Sequence, residues 1–81
     1  MPTYSDVIRE RINEICEERE ITINKLATLA GIRQSTLSAI MNGYSTIPNL
    51  RTIHRIAVGL EIRVCEFLDF PEMDNTIFDD E

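Results

Sequence analysis

The side chains best able to do chemistry in this chain are basic, and their placement matters more than their number. Lys25, Arg33, Arg51 and Arg55 lie in residues 21–60, a stretch without a single Asp or Glu. All 14 acidic residues fall outside it, six in residues 6–20 and eight in residues 61–81. The formal net charge of −6 thus conceals a positively charged middle. Attraction to a polyanion depends on charge within a Debye length of roughly 8 Å at physiological salt, so the middle suits a phosphate backbone although the whole chain is acidic.

Groups that could catalyse a reaction are scarce. The single histidine, His54, has no evident nucleophile partner, no carboxylate pair has a case for a perturbed pKa, and neither a phosphate-binding loop nor a metal cluster occurs. An enzyme is not expected, nor is a metal or other cofactor. Cys16 and Cys65 lie among helical apolar residues without metal-ligand spacing and read as reduced packing residues, with a redox or intermolecular role left open for Cys65. The 81 residues, 43% of them hydrophobic, allow one small domain near the lower end of what a single core stabilises. No run reaches the length of a membrane span, and no basic-then-apolar leader opens the chain, so a cytoplasmic protein without a membrane partner is expected.

Hydrophobic periodicity supplies the elements that must position the basic residues. Ile8, Ile12, Ile15 and Cys16 form one stripe of a first helix, capped by Thr3 or Ser5 and ending near residues 19–20. Thr22 caps a second helix over residues 23–30, with Ile21 and Leu26 at staple spacing. A third helix runs over residues 34–42, preceded by Arg33, a poor cap, and stopped by Asn42-Gly43; Ile32 and Leu37 repeat the staple. After a loop over residues 44–48, Asn49 caps a fourth helix whose buried stripe is Leu50, Ile53, Ala57 and Leu60, with Ile56 and Val58 on its flanks. A short fifth helix begins at Arg63, with Val64, Phe67 and Leu68 inward and Glu66 able to reach back to the cap N–H; Ile62 and Phe67 form a third staple. The organisation expected is a domain over residues 1–69 and an acidic tail over residues 70–81, loose unless Met73, Ile77 and Phe78 dock on the body or on a second subunit.

The second and third helices are joined in a particular frame. Ala27, Gly31, Leu37 and Ile40 follow A-x3-G-x5-L-x2-I. Ala27 must be small where the helices cross closely, and Gly31 stands where the chain needs positive φ. Leu37 and Ile40 share one face and can pack on Leu26 and Ala30. Two helices meeting steeply through a short turn in this way form the frame of a DNA-binding helix-turn-helix.

Residues 21–68 with the first helix resemble the lambda-repressor-like (Cro/Xre) helix-turn-helix family. The resemblance rests on Thr-Ile-Asn-Lys-Leu-Ala at 22–27, Ala-Gly-Ile at 30–32, Ser-Thr-Leu-Ser-Ala-Ile-Met-Asn-Gly at 35–43 and Pro-Asn-Leu-Arg-Thr-Ile at 48–53. It implies an all-α, compact five-helix bundle that binds operator DNA sequence-specifically as a dimer and regulates transcription, here as a repressor. By that resemblance, the helix over residues 34–42 enters the major groove. Leu37, Ile40 and Met41 face the core, and Gln34, Ser35, Ser38 and Ala39 are the base readers. Gln34 leads, because its amide matches adenine N6 and N7. Phosphate contacts are implied for Thr22 and the N-terminus of its helix, and for Lys25, Arg33, Thr36, Asn42, Tyr44, Ser45 and Thr46. Arg51 and Arg55 either add positive potential or are simply solvated, according to which way their helix points.

Several residues depart from the family pattern. Arg33 and Arg63 stand where serine is frequent, so two helices lose a side-chain cap worth about 1 kcal/mol. Ile23 replaces a polar residue that often grips phosphate. Glu61 takes the place of a glycine at the end of the fourth helix, which suggests that Gly59 assumes part of the stop. His54 occupies a commonly apolar position and reads as a partly buried packing histidine rather than a pH switch or ligand. The expected dimer interface comprises Val64, Phe67, Phe70 and Met73. The tail is too small for a sensor domain, so a ligand response would require a partner protein. The alternative reading is a protein-interaction module or antitoxin that keeps the fold; the acidic ends and the modest recognition helix leave it open.

Overall fold

A computed structural model describes residues 3–43 and 49–75. The expected phosphate contacts Tyr44, Ser45 and Thr46, and the tail residues Ile77 and Phe78, lie outside the described residues. The elements are α1 (Tyr4–Arg19), α2 (Ile23–Ala30), α3 (Gln34–Met41), α4 (Leu50–Gly59) and α5 (Val64–Phe67), followed by a 3₁₀ helix (Pro71–Asn75). This is the five-helix, all-α bundle expected from the periodicity.

α1, α2 and α4 begin where a side chain satisfies one of the free N–H groups. Thr3 and Asp6 form a reciprocal capping box on α1: Thr3 Oγ1 accepts from Asp6 N, and the Asp6 carboxylate accepts from Thr3 N at 3.2 Å. Thr3, not Ser5, is therefore the cap. Thr22 Oγ1 accepts from Lys25 N on α2, and Asn49 Oδ1 accepts from Thr52 N on α4. Arg33 makes no side-chain cap, and on α5 the Glu66 carboxylate accepts from Arg63 N at 3.0 Å.

The core joins Ile8, Ile12 and Ile15 of α1 to Leu26 and Ala27 of α2, Leu37 of α3, Ile53, Ile56 and Ala57 of α4, Leu60 and Phe67. No polar or charged residue is buried among the described residues. The closest approach is between α2 and α4. A Cβ on Gly59 would stand 2.8 Å from the backbone N of Ala30 and from the carbonyl carbon of Leu29. No ordinary side chain fits there without moving one helix.

That crossing corrects the reading of α4. Gly59 serves close packing, while Glu61 itself takes the left-handed conformation at φ 60° that ends the helix. The buried stripe is Ile53, Ile56, Ala57 and Leu60; Leu50, at the first residue of α4, and Val58 are exposed. Of the two cysteines, Cys16 is buried, where loss of hydration raises its thiol pKa, but Cys65 is exposed and does not pack in the core.

The tail is not loose throughout. Phe70 and Met73 are half-buried against the core, and the 3₁₀ helix packs on α1. Arg11 of α1 holds this end: its Nε donates to Phe67 O at 2.8 Å, Nη2 to Glu66 O at 2.9 Å and Nη1 to the Glu14 carboxylate, while the guanidinium sits 5.3 Å from the Phe70 ring centroid. Of the residues expected at a dimer interface, Phe67 is fully buried in its own core, while Val64, Phe70 and Met73 are half-buried against it.

Two substitutions separate packing from helix termination. Gly59→Ala should lower stability by about 1–3 kcal/mol through overpacking, against the roughly 1 kcal/mol that alanine gains over glycine inside an unobstructed helix. Glu61→Gly should raise it by about 1 kcal/mol, because the left-handed conformation is free of cost for glycine. Urea unfolding followed by circular dichroism measures both. The capping box has a pH signature. Hydrogen bonds from the backbone and hydroxyl of Thr3, with Arg9 nearby, hold the Asp6 carboxyl below its usual 3.8. The stability it adds is complete above that value and is lost as the pH falls through the depressed folded-state value. Asp6→Asn should thus be less stable than the native chain at pH 7, with the difference vanishing in strong acid.

Candidate nucleic-acid interface

α3 is held by Leu37 and Ile40, three residues apart and buried, which turns the rest of the helix outward. Gln34, Ser35, Thr36 and Ser38 are exposed and Ala39 is half-buried. The four expected readers therefore share the outer surface of one helix, with Ala39 the most recessed. Met41 is half-buried, packed against the core as expected. Asn42 Nδ2 donates to Ser38 Oγ at 3.1 Å. That bond uses Ser38 as an acceptor and leaves its hydroxyl hydrogen to donate outward.

The approach of α2 supplies the groups that suit phosphate. Thr22 is exposed; its Oγ1 accepts from Lys25 N, and its hydroxyl hydrogen is still able to donate. Ile23 packs partly against the core, so the first position of α2 has no polar side chain to offer. Asn24, the next residue, is exposed. Residue pattern alone did not single it out, although its polarity two positions beyond the cap was a usable signal. Lys25 and Arg33 are exposed, with no carboxylate within 4.0 Å among the described residues, as are Thr36 and Asn42.

The turn between the helices is fixed from both sides. Gly31 has φ 70°, and its N–H returns to Thr28 O while Ile32 N donates to Ala27 O. Arg55 of α4 donates from Nη1 to Gly31 O at 3.3 Å, tying α4 to the turn that aims α3. Arg51, His54 and Arg55 are all exposed. His54 is thus not the packing residue expected: the buried stripe of α4 runs through Ile53, Ile56 and Ala57 and leaves position 54 on the outer face. With Ala30 and Val58, these three residues line a groove of about 360 Å³.

A buried-backed helix with an exposed polar face, joined through a glycine turn to a capped helix and free of acidic side chains, defines a helix-turn-helix nucleic-acid-binding protein. Residues 11–72 match the Cro/C1-type HTH DNA-binding domain, and the chain belongs to that family. The family is a class of DNA-binding domains and not of enzymes. Among curated relatives, the chain is similar to the HTH-type transcriptional repressor RghR of Bacillus subtilis (38% identity over 53 residues, 65% of this chain and 39% of that protein). It is also similar to the SPbeta prophage-derived HTH-type transcriptional regulator YopS of the same organism (34% over 59 residues, 73% of this chain and 80% of that protein). The match to the HTH-type transcriptional regulator SinR of Bacillus licheniformis has 29% identity and covers 90% of this chain and 64% of that protein. Several of these relatives are thus longer than the part this chain spans. Among solved structures, the prophage Lp1 protein 11 superposes with a TM-score of 0.81 at 38% identity, covering 91% of this chain and 97% of that one. Among the described residues, no helix is long and apolar enough to cross a membrane.

The uncapped start of α3 makes a separable prediction. Arg33→Ser should supply the missing side-chain acceptor and raise stability by about 1 kcal/mol, measured by urea unfolding without DNA.

Proposed function

We propose that this chain binds operator DNA as a homodimer in the cytoplasm and represses transcription, with α3 in the major groove. The observation that carries the proposal is the exposed row Gln34, Ser35 and Ser38 on a helix whose neighbours Lys25 and Arg33 have no acidic partner among the described residues. Gln34 is the principal reader, able to donate to and accept from one adenine edge. Ser35 and Ser38 bind permissively, and half-buried Ala39 reaches at most a thymine methyl. Thr22, Lys25, Arg33, Thr36 and Asn42 position the domain on phosphate, joined by Tyr44, Ser45 and Thr46 of the loop and by Asn24. No cofactor enters this reading. Dimerisation follows from size, since one such module contacts too few bases for strong discrimination and a two-fold pair doubles them.

Selection of duplexes from a random library at about 100 mM salt tests the reading. The expected product is a palindrome with half-sites about one helical turn apart. Gln34→Ala should relax one position in each half-site at a cost of about 1–3 kcal/mol. Arg33→Ser should weaken all duplexes alike and reduce the salt slope by about 1 per protomer. An unchanged consensus for Gln34→Ala removes that residue as a reader, and the absence of any enriched duplex removes operator binding.

A further inference from the structure

The three large hydrophobic side chains that stand exposed among the described residues are Leu29 (45%), Leu50 (66%) and Val58 (63%). Leu50, His54 and Val58 succeed one another at i, i+4 and i+8 along the outer face of α4, which makes a continuous stripe. Leu29 lies beside that stripe: it shares with Val58 a second depression, next to the groove lined by Ala30, Arg51, His54 and Arg55. The groove therefore has an apolar floor and a basic rim. Arg51 and Arg55 have no carboxylate partner among the described residues, and residues 21–60 contain no acid that could provide one.

One segment of the chain has the opposite character. Residues 76–81 read Thr-Ile-Phe-Asp-Asp-Glu, two large apolar side chains followed at once by three acids. We propose that the α4 groove receives residues 76–81 of a second copy of this chain, with Ile77 and Phe78 on Ala30 and Val58 and Asp79, Asp80 and Glu81 against Arg51, His54 and Arg55. The 3₁₀ helix that leads into this segment packs on α1, whereas α4 packs on α2 and α5. The occupant in this arrangement comes from another molecule and is matched by charge, Asp79, Asp80 and Glu81 facing an Arg51 and an Arg55 that lack a carboxylate partner among the described residues. Exchanged reciprocally, two tails fill two grooves about a two-fold axis. This arrangement rests on the homodimer part of the proposed function and supplies an interface for it. It asks nothing of α3.

Sedimentation equilibrium of the full chain, without DNA, tests it. The native chain should dimerise with a micromolar dissociation constant. Asp79→Lys with Asp80→Lys should weaken the dimer about tenfold or more, and so should Arg51→Glu with His54→Glu, because each set places like charges together. Arg55 is left in place since it also holds Gly31, and circular dichroism confirms that each variant keeps its helices. Combining the two sets should restore dimerisation, which general loss of folding could not do. A native chain that stays monomeric at about 100 μM overturns both this interface and the homodimer reading. A dimer indifferent to both sets, or one that the combination fails to restore, overturns the tail-in-groove arrangement alone.

Discussion

The structure depends on the close crossing of α2 and α4, where Gly59 lies against the backbone of Leu29 and Ala30. At that separation only small side chains fit between the axes, and Ala27, Ala30 and Ala57 are all buried. The crossing lets Ile53 and Ile56 reach the core and brings Arg55 within hydrogen-bonding distance of Gly31 O. Gly31, left-handed and tied from both sides, then sets the angle at which α3 leaves α2. The polar row on α3 is thus aimed by contacts made on the far side of α2, by residues that need touch no ligand.

Charge is partitioned along the same lines. Acids of α1 are partly engaged on their own helix, Asp6 with Arg9 and Glu14 with Arg11. Such exposed pairs contribute little to stability, but they offset two of the five acidic charges of α1. The helix-turn-helix has no acid to neutralise its cations. A chain with a net charge of −6 can in this way keep one stretch, residues 21–60, free of acidic side chains.

Helix positions were largely legible because caps and apolar periodicity agreed: Thr22, Gly31 and Asn49 act where their chemistry suggests. The α4 surface was not. Leu50 fits the stripe by spacing, yet it sits on the first residue of the helix and lies exposed, while Ile56 turns fully inward. Spacing describes a helix's own faces but not how it is rotated against a neighbour, and here one glycine–backbone contact decides that. The end of α4 was misread for a related reason. Gly59 and Glu61 both stand near the stop, and nothing local says which is needed for space and which for φ. Arg11 was equally hidden, since its partners Glu66, Phe67 and Phe70 are more than fifty positions away. On the candidate interface, the exposure of Gln34, Ser35 and Ser38 followed from burying Leu37 and Ile40, which periodicity does capture.

In the proposed function, α3 and the start of α2 form the DNA-contacting surface. Amide shift mapping by NMR of the native chain against a duplex recovered by selection tests it most directly. The largest changes should fall on the backbone amides of residues 22–25 and 33–42, with α1 and α5 little affected. Changes concentrated on α1, on α5 or on the outer face of α4, with α3 silent, would contradict it.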